Sequence, residues 1–247
     1  MTTLAQLLRE IPEREFFEAR VAETQEVAAR DDSFPTIGGF AERQIRRLNQ
    51  QIFLSGWSKP ARQVVFSAVD GEVDIGGMCL QVAEQLAGQV QGSVCVVEAN
   101  IQGQEANHSE FKDFEPGFDS HLGVAGGHSL REASHRLSGN LWYMPPDVLA
   151  GHEPVANSAV WMRGRLAELR LDFDYTVLHG PAASEHSEAA LMGHLCDGLV
   201  LVLEANLTRR VAAQKAKETL QAANVRLLGT VLTERVFPIP EAIYQRL

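Results

Sequence analysis

Cysteine is scarce: Cys79, Cys95 and Cys196 are the only three in 247 residues, and none has a paired spacing. That pattern excludes a disulfide framework and a cysteine-based zinc motif, and it fits buried thiols in a reducing compartment. Long apolar runs are missing too, since no stretch approaches the roughly 18 residues that span a bilayer. The opening MTTLAQLLREIPEREFFEAR has neither a basic n-region nor an apolar h-region. The expectation is a cytoplasmic protein without direct membrane insertion. Basic charge is in deficit, with 22 Lys and Arg against 32 Asp and Glu and a net charge of −10. Nucleic-acid binding rests on Lys and Arg neutralising phosphates, so it is not expected. Arg43, Arg46 and Arg47 form a local basic group; they read as a solvated helix face and as interaction candidates.

What is present is organised around Gln63–Ala87, QVVFSAVDGEVDIGGMCLQVAEQLA. Gln63–Phe66 is a short, β-branched apolar run that predicts a buried strand. Ser67–Gly77 carries Gly71, Gly76 and Gly77 with Asp70, Glu72 and Asp74, which is loop chemistry. Met78, Val82, Leu86 and Val90 then recur every fourth residue, the period of one helix face. Strand, glycine loop and helix is the layout of a phosphate-cradling loop. The chemistry such a loop needs is absent. There is no lysine between Lys59 and Lys112 and no Ser or Thr between Ser67 and Ser93. The three acidic residues put negative charge where phosphates would lie. They could form a cation site in place of the anion site, but a drifted loop whose carboxylates face water is the favoured reading; if the glycines keep the curved backbone, the loop amides can pair with those carboxylates, a self-filled anion site.

Along the chain, Met1–Arg30 reads as polar helix interrupted at Pro12, and Asp31–Gly39 as linker. Ala41–Leu54 and Val155–Leu171 read as helices, the second with Val160, Leu166 and Leu169 inward. Strands are expected at Ser93–Ala99, Asn140–Met144, Tyr175–Leu178, Gly198–Leu203 and Val225–Leu232. Ile101–Ser120 reads as loop, Leu122–Ser138 as weak helix and Ser187–Leu195 as short helix. Thr208 is expected to cap a helix over Arg209–Ala223. Strands apolar on both faces, alternating with helices, imply a doubly wound α/β fold with a mostly parallel sheet. The division is a helical and linker segment over 1–40 and a P-loop NTPase-like domain over 41–247.

From about residue 41 to 236 the chain resembles the cytoplasmic domain of bacterial tyrosine autokinases of capsule and exopolysaccharide synthesis. These belong to the deviant-Walker P-loop group that also holds the MinD- and ParA-like ATPases. The resemblance is carried by IFLSGWSKPARQVVFSAVDGE from Ile52, FDYTVLHGPA from Phe173, and the long run from Cys196 to Val236. The last is similar to the family's strand, Thr-Arg helix entry, helix and final strand in unbroken register.

Departures from the family pattern fall on its functional positions. The P-loop Lys–Ser/Thr pair is replaced within Val73–Gly77. The Asp-x-Asp after the second strand, with its following Arg, becomes Glu98, Asn100 and Gln102. The Walker B aspartate becomes His179, which does not ligate a hard cation as a carboxylate does. The residue near the adenine is Thr233, and the ring-forming helix reads Arg43, Arg46 and Asn49, matched only at Arg46. The tyrosine-rich tail is reduced to Tyr244.

The resemblance therefore implies a pseudokinase with a degenerate nucleotide site and no cofactor. It would be a regulatory or assembly subunit working with an inner-membrane polysaccharide co-polymerase or a kinase paralogue. Such a protein would sit peripherally at the inner membrane through that partner, with homo-oligomerisation allowed. The rival readings are an active kinase or ATPase using ATP and magnesium through an atypical site, and a ParA/MinD-like positioning factor. A metal site built from His179, Glu185, His186, His194 and Cys196 matches no recognised ligand spacing, so these histidines read as solvated or helix-capping. The remaining histidines, His108, His121, His128, His135 and His152, read as surface residues of polar loops. No G-x-S-x-G elbow supports a serine hydrolase.

Overall fold

The computed structural model describes residues 37–54, 60–100, 129–150 and 159–234. The readings for Met1–Arg30, Ile101–Ser120 and Tyr244 lie outside the described residues, as do those for His108, His121, His128 and His152. Seven strands form one sheet in the order β3-β4-β2-β5-β1-β6-β7. They are β1 Gln63–Ala68, β2 Val94–Glu98, β3 His135–Ser138, β4 Leu141–Met144, β5 Tyr175–Gly180, β6 Gly198–Glu204 and β7 Leu227–Thr233. All neighbours run parallel except β3 and β4. The helices are α1 Ile37–Asn49, which passes into a π turn over Gln50–Leu54, α2 Gly76–Ala87, α3 Pro146–Ala150, α4 Ala159–Asp172, α5 Ser187–Leu195 and α6 Arg210–Ala222.

The alternation of side chains along a strand sorts the core into two layers. Val64, Phe66 and Ala68 of β1, with Val94, Val96 and Val177, pack beneath α1 and α2 through Ile52, Phe53, Val82 and Leu86. Val65, Val97, Leu178, Leu199 and Leu201 point the other way, onto Met162, Leu166 and Leu169 of α4, Met192 of α5 and Leu220 of α6. Every residue of β1 and β2 is buried, as expected of strands covered on both faces. Each fully buried Leu or Phe side chain contributes about 1.5–3 kcal/mol, so this two-sided burial dominates the stability.

Carboxylates stitch the sheet together at the ends where its strands begin. Asp197 accepts the amides of Arg62 and Gln63 at 2.8 and 2.9 Å and pairs with Arg170 at 3.1 Å. Asp174 accepts both the amide and the hydroxyl of Ser93 at 2.9 Å. Burial raises the Asp197 carboxyl, but the two amides and Arg170 outweigh it and hold the group below the usual carboxylate range. The Ser93 bonds lower Asp174 in the same sense.

The doubly wound α/β reading holds, with several local corrections. Helix α1 begins at Ile37, inside the stretch that composition marked as linker. The weak helix over Leu122–Ser138 gives way to turns from Leu130 and to strand β3, whose residues alternate between half-buried and exposed. Residues 122–128 lie outside the described residues. Within α4 the inward residues are Met162, Arg165, Leu166 and Leu169, whereas Val160 is 82% exposed. Thr208 caps nothing: its hydroxyl accepts the Glu204 amide at 2.9 Å, and α6 has no side-chain cap. His135 lies in β3, stacked on Tyr143.

Two outcomes follow. A Cβ on Gly198 would lie 2.6 Å from the Arg226 carbonyl oxygen and 2.7 Å from Leu228, with φ at +156°. Gly198→Ala is therefore expected to cost about 2–4 kcal/mol, read as a lower denaturant midpoint at unchanged slope. The depressed Asp197 carboxyl gives stability that is complete above its unfolded value and is lost as pH falls through its lower folded value. The stability gap between wild type and Asp197→Asn should accordingly shrink as pH drops below about 4, measured by urea unfolding at a series of pH values.

Candidate functional site

In a parallel α/β sheet, ligands bind beyond the carboxyl ends of the strands. Here β1, β2 and β5 end side by side, and the loop from Val69 to Ile75 leaves β1 toward α2. Val69 is tied to β6 by its amide to the Val202 carbonyl at 3.0 Å, and the carbonyls of Ala68 and Val69 accept the amides of Ala183 and Ser184. The strand end and the connection from β5 to α5 are thus one fixed rim. A cleft of about 280 Å3 opens beside it, lined by the loop residues Asp70–Val73, by Asn100, His179 and Gly180, and by Glu185 and His186.

The loop amides are met by carboxylates. The Gly76 amide, at the first turn of α2, donates to Asp74 Oδ1 at 2.9 Å. The Gly71 amide donates to Glu185 Oε1 at 2.8 Å. The N-terminal end of α2, where main-chain N–H groups attract anions, thus has a side-chain anion of its own. Asp74 fills the loop as the self-filled reading anticipates; Glu185 does so from 114 residues along the chain. Burial, then the Glu185 charge beside it, raises the Asp70 carboxyl; the Ser184 hydroxyl and the Arg209 charge pull it partly back.

The second feature joins two strands. Glu98 and His179 are register partners at the ends of β2 and β5. Their side chains meet, His179 Nδ1 to Glu98 Oε2 at 2.7 Å, with relative exposures of 5% and 2%. The other carboxylate oxygen accepts the Asn100 amide at 2.9 Å. His179 is therefore neither solvated nor capping a helix, which corrects the sequence reading. The positions that resemble the family's two metal-side carboxylates are occupied by a buried carboxylate–imidazole pair. Beneath it Cys79 is buried, and that burial, with Glu98 and Asp74 nearby, pushes its thiol far above the ordinary range, so it stays protonated and unreactive.

The remaining sequence-derived candidates do not gather here. Thr233 ends β7, two strands beyond β1, where its hydroxyl donates to the Leu203 carbonyl at 3.3 Å. Gly77 lies in the first turn of α2 and Glu72 on the exposed crest of the loop. Arg43, Arg46 and Arg47 are exposed on α1, with Arg46 facing a separate open groove against the end of α2. His194 sits at the far end of α5, 3.5 Å from the Asn224 carbonyl, and Cys196 packs into the second core layer. Among the described residues no group of three or more His, Cys, Asp or Glu is placed to hold a metal ion, and no helix is long and apolar enough to cross a membrane.

Comparison with known proteins places the architecture. No family model matches the chain. Tyrosine-protein kinase YwqD of Bacillus subtilis is 31% identical over 75 residues, covering 30% of this chain and 32% of that protein. Tyrosine-protein kinase CpsD of Streptococcus agalactiae is 32% identical over 62 residues, covering 25% and 27%. Over these stretches the chain is similar to the two bacterial tyrosine kinases. The matched stretch spans less than a third of either kinase. The kinase domain of the Escherichia coli tyrosine kinase ETK superimposes with a TM-score of 0.58 over 80% of this chain and 78% of that one, at 17% identity, which shows a shared P-loop NTPase-like fold.

Tested against magnesium–ATP, the described residues do not fit: none of those lining the cleft is Lys or Arg, no Ser or Thr hydroxyl opens α2, and Asp74 already takes the Gly76 amide. A volume of about 280 Å3 lies at the lower edge of the ~300–1,000 Å3 usual for small-molecule sites. The Glu98–His179 pair is instead a structural element whose loss is measurable. His179→Ala leaves a buried carboxylate without its partner and is expected to cost about 3–5 kcal/mol, while Glu98→Leu with His179→Leu should be near neutral or stabilising. Denaturant unfolding of the single and double variants separates the two.

Proposed function

We propose that this chain is a non-catalytic relative of the bacterial tyrosine kinases, acting as a regulatory or assembly subunit in exopolysaccharide or capsule synthesis and export. Its counterpart would be an inner-membrane polysaccharide co-polymerase or a catalytically competent kinase paralogue, which would hold it at the cytoplasmic side of the inner membrane. The working unit is the α/β domain that opens with helix α1 at Ile37. The degenerate nucleotide site comprises Gly71, Glu72, Asp74, Gly76, Gly77, Glu98, Asn100, His179 and Thr233, and the contact surface is sought around Arg43, Arg46 and Arg47.

One observation carries the loss of activity: the buried Glu98–His179 pair at the strand ends where the family presents metal-side carboxylates. Phosphoryl transfer relies on positioning and on charge stabilisation by Lys, Arg and magnesium. Removing a single stabilising donor commonly costs ~10²–10³ in rate, and here all of them are replaced. The carboxylates of Asp70, Glu72 and Asp74 further oppose the approach of a triphosphate.

The reading is tested by thermal unfolding with and without ATP and magnesium. A ligand present at 100 times its Kd would add about 2.7 kcal/mol of stability. The melting temperature is expected to stay unchanged at millimolar nucleotide. A magnesium-dependent rise would defeat the non-catalytic assignment.

A further inference from the structure

The sheet ends in two edges of unlike chemistry. Strand β3 has only four residues, HRLS, and carries Arg136, which is how a sheet edge is guarded against pairing. Strand β7, LLGTVLT, has seven residues without a charge or a proline, and among the described residues no strand pairs with its outer side. Charges stand only where it stops, Arg226 before it and Glu234 after it, both exposed. A long uncharged edge presents a row of N–H and C=O groups that templates another strand.

Which backbone groups face outward follows from the pairing with β6, because alternate residues of a parallel ladder turn toward the same neighbour. The Thr233 carbonyl accepts the Ala205 amide at 3.0 Å, so Thr233 faces β6, and so do Val231 and Gly229. Gly229–Thr233 runs in unbroken register with Val200–Glu204, the irregularity at the start of the strand lying outside this stretch. Thr230 and Leu232 therefore point their amides and carbonyls away from the sheet. Apolar side chains gather at the same place. Leu232 stands beside Leu203 of the second core layer, on the α6 side of the sheet, and is 41% exposed. Leu207, in the turn after β6, and Val211, in the first turn of α6, are also exposed, at the end of the sheet where Glu204 pairs with Thr233.

We propose that this edge is covered by a second copy of the chain, its β7 added antiparallel so that one sheet runs through both copies. The self-complementarity of the strand selects that occupant. A two-fold axis at Thr230, the middle residue of β7, brings Thr230 opposite its own counterpart with both sets of backbone groups outward, the arrangement of a hydrogen-bonded antiparallel pair. The same axis sets Arg226 of each copy by the partner's Glu234, so unlike charges meet at both ends of the junction. A parallel pairing would instead put Arg226 beside Arg226 and Glu234 beside Glu234. The contact is isologous, so it closes at two copies and grows no filament. It lies two strands beyond β1, and its failure would leave the absence of nucleotide binding untouched.

The test is sedimentation velocity of the full chain over a series of concentrations, joined to amide hydrogen exchange. A reversible dimer is expected, and the Thr230 and Leu232 amides should exchange more slowly as it fills. Arg226→Glu sets like charges together at both ends of the junction and should raise the dimer dissociation constant at least tenfold. Glu234→Arg should do the same. Joining the two substitutions restores unlike charges and should return the constant to within about threefold of wild type. Leu232→Lys places on β7 the kind of charge that guards natural edges and should leave a monomer. All three positions are exposed, and a far-ultraviolet circular dichroism spectrum like that of wild type certifies the fold of each variant. The proposal is overturned by a chain that stays monomeric at every concentration, by a dimer in which the Thr230 and Leu232 amides are not slowed, or by a double reversal that dimerises no more tightly than either single one.

Discussion

Strand β1 runs parallel between β5 and β6 with all its residues buried, and the site inherits its form from that constraint. A strand flanked on both sides and covered on both faces has no freedom in where it ends. Its carboxyl end is fixed against His179–Gly180 on one side and Val202 on the other. The loop that follows must turn over the sheet edge to reach α2, and only there can backbone amides converge on one point. The fold therefore retains the geometry of an anion cradle whatever side chains occupy it. What differs in this chain is the source of the anion.

That separation of backbone from side-chain chemistry organises the molecule. The scaffold is shared with the kinase domain of ETK at 17% identity, a level at which packing is preserved and individual polar residues are not. At the ends of β2 and β5, Glu98 and His179 are hydrogen-bonded to each other at 2.7 Å. A pair of this kind is costly to bury and costly to break. It joins the ends of β2 and β5, and the buried, protonated Cys79 nearby adds no reactive group. Fold and site are thus decoupled in this chain, in keeping with the rule that function resides in the site.

Much of the sheet was legible in the sequence because burial on both faces writes itself as apolar runs. QVVF, VCVV, LWYM, YTVL and GLVLVL each became strand, within a residue or two of the expected bounds. Strand β3 escaped because HRLS is polar, lies at the sheet edge and pairs antiparallel, so its residues are only half-buried or exposed. The inward face of α4 was misjudged because Arg165, bonded to Glu168 and Val148, takes a buried position, while the apolar Val160 points outward. At the site, Glu98 and His179 were each singled out, but their contact required knowing that β2 and β5 are neighbours in that register. Glu185 was weighed only beside His179 and His186 as a metal ligand; its bond to Gly71, remote in sequence, carried no local signal.

The Asp74 carboxylate on the Gly76 amide has one more consequence. A diffusing phosphate leaves its cradle when its concentration falls; a carboxylate tethered two residues away is present at an effective concentration fixed by the covalent chain. The Gly76 amide consequently keeps its carboxylate partner at any concentration of free anion. An enzyme of this architecture alternates between filled and emptied forms, and a partner can read the difference. The subunit proposed above would thus offer a docking partner a surface that does not keep time with nucleotide turnover.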